Sequence, residues 1–205
     1  MFNRYCAAPI APFHLIVELA AVAMALWAAA VEPNGLLLWA DCFLGWTLLA
    51  LAWIDVLTMR LPDLLTLPLL VVGLLVEALL SPENLLAHIW GAAVGYLSFT
   101  IVAIGYRVLR GRDGLGGGDA KLLAVAGAWL GWAALPDVVF IAALLGIAGA
   151  IVSRARGHVI ASPTALPFGP LLAIALWIVR LYGPVIFDFP GGLSIVDQVL
   201  GFLSP

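Results

Sequence analysis

Apolar residues run along this chain in long uninterrupted stretches, not in the strict alternation of a half-buried strand. Seven stretches stand out: residues 13–31, 36–54, 64–80, 85–106, 120–135, 138–152 and 166–179. Several approach the ~20 residues that an α-helix needs to cross hydrocarbon, while the fifth and sixth are short. The breaks carry turn chemistry: Glu32-Pro33-Asn34-Gly35, Ser81-Pro82-Glu83-Asn84, Pro136-Asp137 and Ser162-Pro163. The pattern predicts an all-α integral membrane bundle of about seven transmembrane helices, with residues 1–205 as a single domain. A further short helix over residues 193–203 is expected to lie on the membrane surface. Ala28-Ala29-Ala30 resembles a signal-peptide cleavage site, but the only base ahead of the run is Arg4 and the run is long. A retained first helix is expected.

Composition supports lipid as the main solvent. Of 205 residues, 64% are hydrophobic and only 10% charged, and the mean hydropathy is +1.14. A soluble domain carries roughly a quarter charged residues. The net charge of −3 also argues against a nucleic-acid partner, which would call for a basic stripe. Cys6 and Cys42 are too few and too far apart for a zinc cluster or a disulfide scaffold. His14, His88 and His158 lack metal-site spacing and read as interfacial, as do most of the eight Trp.

The few bases orient the bundle. With a cytoplasmic N-terminus, seven spans put Arg4, Arg60, Arg107, Arg110, Arg112, Lys121, Arg154 and Arg156 inside and only Arg180 outside. That is the asymmetry of the positive-inside rule. Acids at membrane depth are functional candidates by default, because leaving them there is costly. Glu32, Glu83, Asp137, Asp188 and Asp197 fall in expected outer loops or the tail, and Asp41 and Glu77 near outer helix ends, where water can reach them. Asp113 sits among Arg110 and Arg112, as a solvated loop charge would.

Asp55 and Asp119 differ. Asp55 ends the second run and Asp119 opens the fifth, so both lie at the same depth on the cytoplasmic rim. Two close carboxylates in low dielectric resist double ionisation and share one proton. One can then take a proton from water while the other protonates a peptide carbonyl, which is aspartic-peptidase chemistry. Helix capping is the plainer role for each. Gly114-Leu115-Gly116-Gly117-Gly118 precedes Asp119, a side-chain-free approach for an extended ligand or a plain connector. A phosphate loop is excluded, because Lys121 follows Asp119-Ala120 and precedes Leu122 instead of Ser or Thr. Gly91, Gly95, Gly127, Gly131, Gly146 and Gly149 fall at spacings that favour close helix packing.

These residues match a family pattern. Gly116-Gly117-Gly118-Asp119-Ala120-Lys121-Leu122 resembles the Gly-x-Gly-Asp signature of the type IV prepilin peptidases. The stretch from Trp53-Ile54-Asp55 to Leu61-Pro62-Asp63 is similar to that family's first aspartate motif, and Leu166-Pro167-Phe168-Gly169-Pro170 to its Pro-Phe-Gly-Pro segment. Val17-Glu18-Leu19 fits its first helix. The resemblance implies an aspartic endopeptidase of the bacterial inner membrane that removes the short leader of prepilins or pseudopilins on the cytoplasmic side. It carries the catalytic role to Asp55 and Asp119 and the motif glycines to Gly116 and Gly118, and it implies no metal or organic cofactor. Gly117, Lys121 and Glu18 join the two glycines as expected substrate contacts. The chain departs from many relatives in two ways. The paired Cys-x-x-Cys insert associated with N-methylation is not found ahead of the first span, so methyltransferase activity is not expected. Leu57 stands where many relatives carry a second acid, which puts the first role on Asp55, with Asp63 a minor competitor. A small proton-coupled transporter using the same aspartates, or a non-catalytic pilin-binding adaptor, are the alternatives. The sequence leaves the oligomeric state open.

Overall fold

The computed structural model describes residues 11–32, 35–111, 116–156 and 167–184, with side chains from residue 16 onward. Among the described residues seven α-helices follow one another: α1 Ala11–Val31, α2 Gly35–Thr58, α3 Asp63–Leu80, α4 Leu85–Arg110, α5 Gly117–Leu130, α6 Leu135–Ala155 and α7 Gly169–Tyr182. Single 3₁₀ turns at Pro82–Asn84 and Trp132–Ala134 join α3 to α4 and α5 to α6. Among the described residues there is no strand. The expected surface helix over 193–203, the Ser162-Pro163 break, Gly114-Leu115 of the glycine run, Arg4, Cys6, His158 and the His14 side chain lie outside what is described.

Among the described residues, four stretches are long and apolar enough to cross a membrane: Gly35–Thr58, Asp63–Leu80, Pro82–Arg110 and Trp132–Ala155. Large apolar side chains such as Leu64, Leu79, Val108 and Leu109 are mostly exposed around the bundle. A surface of that kind is stable only against lipid. The protein is therefore a multi-pass, all-α membrane bundle.

Two span lengths differ from the sequence reading. The sixth helix is a full 21 residues, because it begins at Leu135 and continues to Ala155. The fifth is 14 residues, about 21 Å long at 1.5 Å per residue, too short to cross hydrocarbon. It has no need to. Every residue from Leu122 to Trp129 is buried, with α3, α4, α6 and α7 packed around it. A helix that is apolar on all sides and enclosed by others is the central strut of the bundle.

Glycine lets α4 lie directly on α5. A Cβ on Gly127 would sit 2.1 Å from the carbonyl carbon and oxygen of Gly91, and one on Gly95 would sit 2.5 Å from the Leu123 carbonyl oxygen. This is the small-residue packing expected between helices in lipid. Gly131 instead ends α5 with φ +79°, and Gly149 touches nothing. Gly127→Ala forces backbone apart from backbone, and a loss of roughly 1–3 kcal/mol of stability is expected. Gly149→Ala serves as the neutral control, and thermal unfolding of the purified protein in detergent compares the two.

Three acids read as solvated are in fact buried. Asp41 and Glu77 pair with Arg180, and Asp137 is enclosed in the first turn of α6, where a helix N-terminus favours a carboxylate. The Arg180 Nε donates to Asp41 Oδ1 at 2.8 Å, and its Nη1 donates to the Trp129 carbonyl at 3.4 Å and Glu77 Oε1 at 3.5 Å. The guanidinium carbon also lies 5.4 Å from the Trp129 ring centroid. His88, read as interfacial, donates from Nδ1 to the Ala128 carbonyl at 3.0 Å and sets Nε2 3.7 Å from Glu77. Five helices, α2, α3, α4, α5 and α7, thus meet on one polar knot at one end of the bundle.

Candidate active site

At the other end, three helix termini converge. Asp55 lies one turn before the end of α2, Asp119 lies in the first turn of α5, and Gly169 opens α7. Asp55 is 14 residues along α2 from Asp41, so about 21 Å separates this end from the polar knot.

Helix α2 stops abruptly after Asp55. The Thr58 hydroxyl donates back to the Ile54 carbonyl at 2.8 Å, and Met59 adopts φ 52° while its N–H donates to the Asp55 carbonyl oxygen at 2.8 Å. A left-handed residue is a common helix stop, but without glycine it stores strain. The chain then passes through buried Leu61 to Pro62, and α3 begins at Asp63.

The glycine run is not a free strand where it meets Asp119. Gly116 is extended (φ −71°, ψ 139°) and forms the N-cap of α5, while Gly117 and Gly118 are already helical. Asp119 is the third helical residue. Its carboxylate reaches back to the backbone N–H of Gly116, and its own N–H donates to the Gly116 carbonyl at 3.1 Å. This is the half of a capping box in which the third helical residue reaches back to the N-cap N–H, glycine offering no side chain for the other half. Gly118 faces the α2–α3 connection, where a Cβ would fall 2.9 Å from the Leu61 Cβ. Gly117 is exposed, and no described residue lies within 4 Å of the place a Cβ would take.

Asp55 is held in a matching way from α7. Its carboxylate accepts a hydrogen bond from the backbone N–H of Gly169, and a Cβ there would lie 2.6 Å from Asp55 Oδ2. Only glycine admits the carboxylate at that distance. Phe168 fixes the start of α7 by packing on Phe99 of α4, with ring centroids 6.1 Å apart. The two carboxylates, at 6% and 8% exposure, are close enough for the charge of one to act on the other. Two nearly buried acids, each secured by one backbone N–H at a helix N-terminus, leave oxygen lone pairs free for a water or a peptide.

The other expected residues are dispersed. Lys121 pairs with Asp63, a contact that ties α5 to the start of α3 and sets both beside, not within, the aspartate pair. Glu18 is exposed on α1. Gly169 was not singled out from the sequence, although Pro-Phe-Gly-Pro at a helix start marks a terminus where something approaches closely. Among the described residues, no three His, Cys, Asp or Glu side chains group as metal ligands.

Fold and site together define a helical membrane protein with a buried aspartate pair at one rim. Residues 42–151 match the model of the type IV leader peptidase family (Peptidase_A24), and the chain belongs to that family. It is 42% identical over 181 residues to a prepilin leader peptidase/N-methyltransferase of Aeromonas hydrophila, covering 88% of this chain and 62% of that protein. A protein of the same name from Burkholderia pseudomallei (strain 1026b) is 43% identical over 190 residues, 92% of this chain and 61% of its own. One from Pseudomonas aeruginosa is 44% identical over 141 residues, 68% of this chain and 48% of its own. The chain spans about three fifths of the length of the first two of these relatives. No solved structure matches.

Proposed function

We propose that this chain is an integral-membrane aspartic endopeptidase that cleaves the leader from type IV prepilins or pseudopilins at the cytoplasmic face of the bacterial inner membrane. The observation that carries the reading is the convergence of Asp55 and Asp119, 64 residues apart in sequence, at one buried rim. Membership of the leader peptidase family and the names of the relatives support the same substrate class.

In this reading the two carboxylates hold one proton between them. The ionised one draws a proton from water as it attacks the scissile carbonyl, and the other donates to the carbonyl oxygen. The N–H groups of Gly169 and Gly116 keep the carboxylates oriented throughout. Gly116, Gly117 and Gly118 give an extended peptide room to approach Asp119, and the carbon-free side of Gly117 is the open face. Lys121, through Asp63, steadies the mouth of the site. The basic residues near this rim favour its assignment to the cytoplasmic side.

Proton-coupled transport calls for acids along a continuous path. Between the aspartate pair and the Arg180 knot lie Leu48, Leu51, Leu122, Val125, Leu172 and Leu176, all buried and apolar, which favours hydrolysis over transport. The direct test is incubation of the purified protein with a leader-bearing prepilin, followed by gel shift and N-terminal sequencing. A shortened product that begins after the leader is expected; an unchanged substrate sinks the reading. Within the same assay, Gly169→Ala is expected to lower kcat by about a hundredfold, because a Cβ 2.6 Å from Oδ2 pushes the Asp55 carboxylate out of place, and a misplacement of about 1 Å costs that much. Gly149→Ala, on open helix surface, is expected to leave kcat unchanged.

A further inference from the structure

An apolar groove of about 220 Å³ opens between α1, α2 and α7, bordered by Met24, Trp27, Leu48, Ala52, Ala173 and Trp177. Its lining begins about one turn from the aspartate site, at Ala52 on α2 and Ala173 on α7. On α2, Leu48, Ala52 and Asp55 are spaced four and three apart, and on α7, Gly169, Ala173 and Trp177 are spaced four apart, so each set shares one helix face. The faces that press Gly169 against Asp55 are thus the faces that line the groove one and two turns deeper. Another cavity, about 440 Å³ between α3, α4 and α5, reaches this rim and includes Leu67, Ala93, Tyr96 and Lys121. Lys121 is two residues past Asp119, about 200° around α5, so that cavity opens on the far side of the helix from the carboxylate.

The geometry points to the α1–α2–α7 groove as the seat of the substrate's apolar helix, in the turns immediately following the scissile bond, an inference that rests on the peptidase reading above. A peptide bond held at Asp55 has its apolar continuation already aimed down this face into the membrane.

Photo-crosslinking tests this. The full chain carrying Asp55→Asn and Asp119→Asn is reconstituted in phospholipid bilayers with a photoreactive phenylalanine derivative at the position of Leu49 or Ile174 in the groove. Parallel samples carry it at Leu67 or Ala93 in the other cavity. The probe is a leader-bearing prepilin that the unmutated protein is assayed to cleave. Adducts from positions 49 and 174, mapping to the first two turns after the leader junction, are the expected result. Adducts to the probe from 67 and 93 instead, or to phospholipid alone from 49 and 174, overturn the groove assignment while the unmutated protein still cleaves. Failure of the unmutated protein to cleave the probe overturns the peptidase reading itself, and the inference with it. As a second measure, Ile174→Trp, which fills the groove mouth, is expected to raise KM about tenfold with kcat unchanged, the mark of lost binding without lost chemistry. A Tm equal to the unmutated protein's with KM also unchanged overturns the assignment.

Discussion

Asp55→Asn and Asp119→Asn are each expected to reduce prepilin cleavage by at least about a thousandfold, the scale on which an acid–base group and its partner fail together. The reason is the isosteric amide. Asparagine keeps the hydrogen bond from Gly169 or Gly116 but can neither accept the water proton nor hold the shared one. The double variant should be no worse than either single one, because the two act as a unit. Folding is not expected to suffer. Each carboxylate is nearly buried and has no cationic partner among the interactions described for it, so neutralising it removes a desolvation cost. Activity by gel shift and thermal unfolding of the same preparations provide the check. Cleavage within tenfold of the unmutated protein by either variant would remove that residue from the mechanism.

Arg180→Ala is expected to have the opposite profile, a large loss of stability at the far end of the molecule. Arg180 is the cation that faces Asp41 and Glu77, both buried. Removing one member of a buried charge group strands the others, at about 3–5 kcal/mol. The loss also takes away the donor to the Trp129 carbonyl and the charge above its ring. Replacing all three, as Asp41→Leu, Glu77→Met and Arg180→Met, should recover most of that stability, since well-packed apolar groups often match a buried ion pair. Thermal unfolding in detergent distinguishes the cases. Equal destabilisation of the single and triple variants would show that the knot acts through shape, not through charge.

How much of this was legible beforehand depends on the range of the interaction concerned. The helices were legible because hydropathy is a property of consecutive residues, and α2 and α4 begin at the turn signals Glu32-Pro33-Asn34-Gly35 and Ser81-Pro82-Glu83-Asn84. Asp55 and Asp119 stood out because so few charges compete with them, and both motifs are local. Asp41, Glu77 and Asp137 were read as solvated from their position at span ends. Nothing near them in sequence announces a partner: Arg180 lies 139 residues from Asp41 and 103 from Glu77. Gly169 figures in the sequence only as part of the Pro-Phe-Gly-Pro segment, with no role of its own, because its value lies in the Asp55 carboxylate that stands across from it. The fifth helix reads in sequence like a short membrane span because apolar residues facing protein and apolar residues facing lipid have the same composition.

The sequence by itself determined the solvent, the helical class and the two acids on which the chemistry is proposed to rest, because each is encoded in runs or motifs of neighbouring residues. The tertiary structure decided which charges are buried in pairs, which helix is enclosed, and which glycine makes room for Asp55. Those depend on contacts between α2, α5 and α7, whose meeting is fixed by the packing of whole helix faces, and no local pattern records it.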